Sequence, residues 1–224
     1  MKEIPFFSSE KMHWIYYVGR TLTQVLAFLL TRFRVSGREH VPVEGPLLVV
    51  SNHLSMADPP LVGIGIKRPA MFLAKEELFR GRIRRYIFHR CGAFPIRRGG
   101  MNRAALRFAE KLFGRGGALI AFPEGRRSMK AQLANAFSGP ALIAVRNGVP
   151  ILPVGICGTE KITGFKWWWH RPQVTVNIGR PFTLPSVNGK VTRQQLAEFT
   201  HSIMGQIAGL LPGEYRGQYG DEKS

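Results

Sequence analysis

The run Pro46-Leu47-Leu48-Val49-Val50-Ser51-Asn52-His53-Leu54-Ser55-Met56-Ala57-Asp58-Pro59-Pro60 decides the fold. It begins as a continuous apolar stretch, Leu47 to Val50, of the kind a buried strand needs. It then turns polar at Ser51, Asn52, His53, Ser55 and Asp58. A strand that ends on a histidine, with a carboxylate shortly after, has the parts of a general base. Imidazole is the side chain whose ordinary pKa lies closest to neutral. A carboxylate on one ring nitrogen leaves the other free to take a proton. Alone, the His-x4-Asp spacing is more often that of a solvated loop pair.

Outward from this run, strand-like and helix-like segments alternate. The strand-like runs are Leu47–Asn52, Met71–Ala74, Ala93–Ile96, Ala118–Phe122, Ile151–Ile156 and Gln173–Ile178. Between them lie helix-like segments at Leu61–Ile66, Ile83–Arg90, Arg103–Phe113 and Ala141–Arg146. A last one, Thr192–Leu211, puts Leu196, Phe199, Ile203, Met204, Ile207, Leu210 and Leu211 on one face. The alternation predicts an α/β domain with a mostly parallel sheet flanked by helices.

Polar clusters follow four of the strands. His53 and Asp58 follow the first, Lys75 the second, Arg97 and Arg98 the third, and Glu124, Arg126 and Arg127 the fourth. Open α/β sheets bind ligands outside the carboxyl ends of their strands. If these strands are parallel neighbours, a His–Asp pair meets Lys75, Arg97 and Arg127, and the cations suit a phosphate. Glu124 has a second reading, as an ion-pair partner of those arginines. Gly125 and Gly99-Gly100 allow backbone to approach a ligand.

The 224 residues carry 32 Lys and Arg against 14 Asp and Glu, a net charge of +18. Such a chain prefers anionic partners: a phosphate-bearing substrate, an anionic membrane surface or nucleic acid. Its two cysteines, Cys91 and Cys157, form no metal or CxxC pattern and read as core residues. Residues 13–33 are the most lipid-like, with Trp14, Tyr16 and Tyr17 at one end and Arg32 and Arg34 at the other. As a helix they would be about 30 Å long. Arg20, Thr23, Gln24 and Thr31 recur on one stripe, which predicts a helix in the membrane interface rather than one spanning it. The other reading is a helix packed on the domain. Residues 1–34 are therefore expected to form a membrane-associating helical segment, 35–212 the catalytic domain, and 213–224 a loose polar tail.

Four stretches, in order, resemble the motifs of the PlsC-type 1-acylglycerol-3-phosphate acyltransferases. NHxxxxD is Asn52 to Asp58, GxFxIxR is Gly92 to Arg98, FPEGxRS is Phe122 to Ser128, and VPIxPV is Val149 to Val154. The resemblance covers about residues 35–185. Two departures occur: Arg126 stands where Thr is usual, and Phe137-Ser138-Gly139-Pro140 lacks the lysine that commonly follows Phe.

The resemblance implies a glycerol-3-phosphate acyltransferase-like fold. It also implies acyl transfer from acyl-CoA or acyl carrier protein to the free hydroxyl of a lysophosphatidate-like lipid. His53 would be the general base and Asp58 its support, with no acyl-enzyme, no cofactor and no metal. Asn52, Lys75, Arg97, Glu124, Gly125 and Arg127 would bind the substrate, and Pro153 would belong to the acyl-site region. The protein would sit on the cytoplasmic face of the cell membrane. Trp167-Trp168-Trp169 reads either as a second interfacial contact or as packing over the sheet end.

Three alternatives stay open. The acceptor could be another lyso-lipid, such as a lysophospholipid or a lyso-ornithine lipid. Ser51 or Ser55 could be a nucleophile, although neither lies in a G-x-S-x-G turn. A basic non-enzymatic protein is permitted by charge, but no nucleic-acid-binding motif occurs and no nucleic-acid partner is expected.

Overall fold

A computed structural model describes residues 12–96, 103–164, 166–187 and 189–220. Its strands are β1 (Arg32–Ser36), β2 (Leu47–Ser51), β3 (Met71–Lys75), β4 (Ala93–Ile96), β5 (Ala118–Ala121), β6 (Ile151–Cys157) and β7 (Gln173–Ile178). Its helices are α1 (Trp14–Leu30), α2 (Asp58–Gly65), α3 (Arg82–Arg90), α4 (Arg103–Phe113), α5 (Gly139–Asn147) and α6 (Arg193–Ala208).

The seven strands make one sheet in the order β1-β7-β6-β2-β5-β3-β4. Only β6 and β7 pair antiparallel; the other neighbours are parallel. β2 lies at the centre and is buried throughout. Its successive side chains point to opposite faces. Leu47 and Val49 pack with α2 on one face, and Leu48 and Val50 with α4, α5 and α6 on the other. This two-sided burial explains why β2 is continuously apolar rather than alternating.

The helices show their reasons locally. α4 buries Ala105, Phe108, Ala109, Leu112 and Phe113, a helical stripe, and Phe108 stacks on Phe94 of β4 at 3.9 Å. α5 starts with Pro140 in its first turn and ends at Gly148, whose φ of 58° takes the left-handed turn. α6 opens with a capping box between Thr192 and Gln195.

The end of α1 differs from the sequence expectation. The helix stops at Leu30, and Arg32–Ser36 becomes edge strand β1, in parallel register with Gln173 to Asn177. The Thr31 hydroxyl bonds the Ala27 carbonyl at 2.6 Å, and Arg171 donates to the Phe28 carbonyl at 2.9 Å. Beyond them, Arg-Phe-Arg-Val-Ser alternates between exposed and half-buried positions, the period of a strand. β1 thus straddles the boundary expected between residues 34 and 35.

The stretch from Gly213 is also better tied than its polarity suggested. The Tyr215 hydroxyl donates to Glu160 at 2.7 Å, its carbonyl accepts from Leu133 N–H at 2.8 Å, and Gln218 donates to Asn135 at 2.9 Å.

The parallel run β2-β5-β3-β4 brings four strand ends to one edge. β6 ends there too and turns at Gly158, whose φ is 87° and whose added Cβ would run into the Gln173 carbonyl. Gly158→Ala should therefore cost at least about 2 kcal/mol of stability, measured by urea unfolding.

Candidate active site

At the end of β2 the chain leaves the sheet in a fixed way. The Asn52 side-chain amide donates to the Ile156 carbonyl and accepts from the Ile156 N–H, both at 2.8 Å. It extends the β2–β6 ladder by one side chain. His53 follows, and residues 54–57 wrap around the carboxylate that opens α2.

That carboxylate, Asp58, has no solvent exposure. Its Oδ2 accepts the Leu54 N–H at 2.6 Å and the Ser55 N–H at 2.7 Å, and lies 2.8 Å from His53 Nδ1. Its Oδ1 accepts the Thr159 hydroxyl at 2.6 Å. A carboxylate surrounded by donors is an acceptor only. Nδ1 therefore carries the ring proton, and Nε2 keeps the lone pair. The imidazole stacks on Phe122, with ring centroids 4.4 Å apart.

His53 is also held through its backbone. Its N–H donates to Glu124 Oε1 at 3.0 Å, and its carbonyl accepts from the Ser128 N–H at 2.7 Å. Glu124 Oε2 accepts the Ala134 N–H at 3.1 Å. Burial pushes the Glu124 carboxyl up to about 7, against the opposing pull of those two N–H bonds.

A cavity of about 710 Å³ opens at His53. Arg20 and Thr23 of α1, Pro60 of α2, Phe72 of β3 and Ile87 of α3 are among its walls. Lys75, Gly125 and Arg127 line it together with His53. The Lys75 ammonium is 3.0 Å from Glu77 on the surface. Gly125 has φ of 62°, and a Cβ there would meet the Phe137 ring at 2.8 Å. Arg97, the remaining expected cation, lies outside the described residues. Asn52 and Glu124, expected on substrate, sit behind the histidine with their polar atoms bonded to backbone groups. Among the described residues Glu124 makes no ion pair, and Arg126 acts on it only through its charge.

Neither serine weighed as a nucleophile is bonded to His53. Ser51 is fully buried and donates to the Asn52 carbonyl, while Ser55 Oγ accepts the Ala57 N–H at 3.4 Å. Thr159 was missed by sequence reading. It lies two residues beyond β6, on the edge where strand ends gather, but the motif pattern stops at Val154.

The sequence model of the acyltransferase family matches residues 32–157, more than half of the chain. The chain belongs to the acyltransferase family. It is 30% identical over 142 residues to a 1-acyl-sn-glycerol-3-phosphate acyltransferase of Streptococcus pneumoniae, covering 62% of this chain and 51% of that protein. It is 34% identical over 137 residues to a lyso-ornithine lipid O-acyltransferase of Pseudomonas aeruginosa, covering 60% of this chain and 51% of that one. The chain spans about half the length of these curated relatives. The crystal structure of the 1-acyl-sn-glycerophosphate acyltransferase PlsC of Thermotoga maritima superposes with a TM-score of 0.67 at 26% identity, over 88% of this chain and 78% of that one. The fold of this acyltransferase-family chain is thus that of PlsC.

Two outcomes follow from the geometry. Thr159→Val should lower kcat by roughly tenfold through the loss of a bond to a charged group, with KM unchanged. Thr159→Ser should restore it in steady-state assays. Glu124 makes the second. Between pH 4.5, its ordinary value, and about 7, the unfolded chain releases a proton that the folded chain keeps, so stability falls as pH rises through this window. Wild type should lose about 3 kcal/mol more than Glu124→Gln across it, read from urea unfolding at a series of pH values.

Proposed function

We propose that the chain transfers a fatty acyl group from a thioester, acyl-CoA or acyl carrier protein, to the free hydroxyl of 1-acylglycerol-3-phosphate, yielding phosphatidate. One observation carries this reading: an imidazole with Nδ1 fixed on Asp58 and with Nε2 unengaged among the described residues, lining a largely apolar cavity that also presents Lys75 and Arg127. An alcohol is a poor nucleophile until it loses its proton, whereas a thioester carbonyl is already activated.

In the proposed reaction, Nε2 takes the hydroxyl proton as the oxygen attacks the carbonyl carbon. The tetrahedral adduct collapses with cleavage of the C–S bond. The imidazolium returns its proton to the leaving thiolate. Asp58 stays ionised and stabilises the imidazolium, as in a hydrolase triad. Lys75 and Arg127, with Arg97 by family analogy, bind the acceptor phosphate. Glu124 acts through His53 by accepting its backbone N–H, and Asn52 anchors the residue before it to Ile156.

The outer face of α1 supports a membrane location. Trp14, Val18, Leu22, Val25, Phe28 and Leu29 are exposed on it, while Arg20 turns inward and donates to the Gly63 carbonyl at 2.9 Å. Among the described residues no helix is long and apolar enough to cross a membrane. α1 is therefore read as lying in the bilayer surface with its apolar side down. Trp168 and Trp169, stacked at 4.5 Å and exposed, are read as a second interfacial contact. The proposed place is the cytoplasmic face of the cell membrane, where both thioester donors are soluble.

The relative acting on lyso-ornithine lipid favours a second reading, the same chemistry on another acceptor. Thioester consumption in detergent micelles tests both, with lysophosphatidate, lyso-ornithine lipid and no acceptor. Turnover should require lysophosphatidate and fall ~10²–10⁴-fold in His53→Ala. Turnover only with lyso-ornithine lipid would replace the acceptor, and turnover without acceptor would make the protein a thioesterase.

A further inference from the structure

We propose that the groove beneath the C-terminal half of α1 binds the phosphate of an anionic membrane phospholipid. The proposal rests on the reading that the outer face of α1 lies in a bilayer. The groove, about 410 Å³, is distinct from the His53 cavity and shares only Ile64 with it.

Five cations surround it: Arg32 and Arg34 of β1, Arg38 beyond β1, Lys67 beyond α2, and Arg171 before β7. Among the described residues none of the five has a carboxylate at ion-pair distance. Like charges gathered round one groove repel, and a bound anion turns that repulsion into attraction. Two of the guanidiniums are pinned in place. Arg38 donates its Nε–H to the Gly65 carbonyl at 3.2 Å, which leaves both its terminal NH₂ groups unused by that bond. Arg171 donates to the carbonyls of Phe28 at 2.9 Å and Thr31 at 3.5 Å. A guanidinium fork matches two oxygens of one phosphate.

The backbone is strained at the same place. Lys67 has φ of 52° and Arg171 φ of 40°, two of the three non-glycine residues with left-handed φ among those described. Such positions gather at ligand clamps.

The shape of the surroundings selects a lipid over a soluble anion. Phe33 and Ile64 give the groove an apolar wall, and Phe28 on its rim is 75% exposed. Val25 and Leu29 continue that exposed surface along α1. A phosphate seated among the cations would leave acyl chains to run over these residues.

The test is co-sedimentation of the full chain with vesicles of phosphatidylcholine, with and without phosphatidylglycerol. Arg34→Gln/Lys67→Gln removes two groove charges; Lys190→Gln/Arg193→Gln removes the same charge at the start of α6. Wild type should prefer the phosphatidylglycerol vesicles. The groove variant should lose roughly 10- to 30-fold of that affinity, keep its binding to pure phosphatidylcholine, and keep its thermal midpoint. The α6 variant should lose far less. If the double variant is unstable, Arg34→Gln alone should lose roughly fivefold.

Equal losses in both variants would make the effect diffuse charge and overturn the site while leaving the α1 reading intact. So would wild type showing no preference for phosphatidylglycerol. A groove variant that weakens for free CoA or inorganic phosphate, with phosphatidylglycerol binding unchanged, would make the anion soluble. A raised KM for lysophosphatidate in neutral micelles would put the acceptor's own phosphate there. Either result overturns the bilayer-lipid assignment. Wild type binding neither vesicle would overturn the α1 reading and this site with it.

Discussion

Everything at the site depends on keeping one buried carboxylate charged. Asp58 has no contact with solvent, and moving a carboxylate from water into a protein interior costs several kcal/mol unless donors replace its hydration. Two backbone N–H groups, one hydroxyl and the imidazole N–H make that replacement. Their demands fix the local chain. Residues 54 and 55 must curl back over the first residue of α2, and the end of β6 must bring Thr159 alongside. The Pro59-Pro60 pair suits the start of that helix, where N–H groups have no helical partners to lose.

Support for the histidine comes from two sides. Asp58, at the start of α2 and itself held by Thr159 just beyond β6, holds its ring. Glu124 and Ser128, from the loop after β5, hold its peptide groups. Tyr215 touches both arrangements at one remove. Its hydroxyl bonds Glu160, the neighbour of Thr159, and its carbonyl bonds Leu133, the neighbour of Ala134 on Glu124. The C-terminal segment thus braces loops that are far apart in the chain, a role its polar sequence does not suggest.

What could be read from sequence follows from what each signal measures. Apolar runs located six strands, and at β2, β5 and β6 they did so because burial on both faces leaves little choice of residue. The meeting of the His–Asp pair with Lys75 and Arg127 was legible because parallel neighbours put strand ends together. β1 was not, because Phe33 prolongs the apolar run of α1. The stop comes from a hydroxyl and from Arg171, 140 residues away from Thr31. Glu124 was legible as important but not in its place. A glutamate among arginines reads as an ion pair or a ligand, and only the folded chain reveals two backbone N–H groups aimed at it. Thr159 is a small residue with no pattern around it.

Sequence periodicity finds an amphipathic helix but does not say which side faces the protein. In α1, Arg20 and Thr23 face inward and line the His53 cavity, while Trp14, Leu22, Val25 and Phe28 face out. A helix packed on the domain merely to suit water would expose its polar stripe instead. The inward polar stripe has internal work, since Arg20 bonds the carbonyls of Gly63 and Arg68. The outward apolar face has no such partner within the described chain, and soluble monomers rarely leave large apolar patches uncovered. On the proposed reading the bilayer covers it, and a lipid acceptor then reaches the cavity from beneath α1 without crossing water.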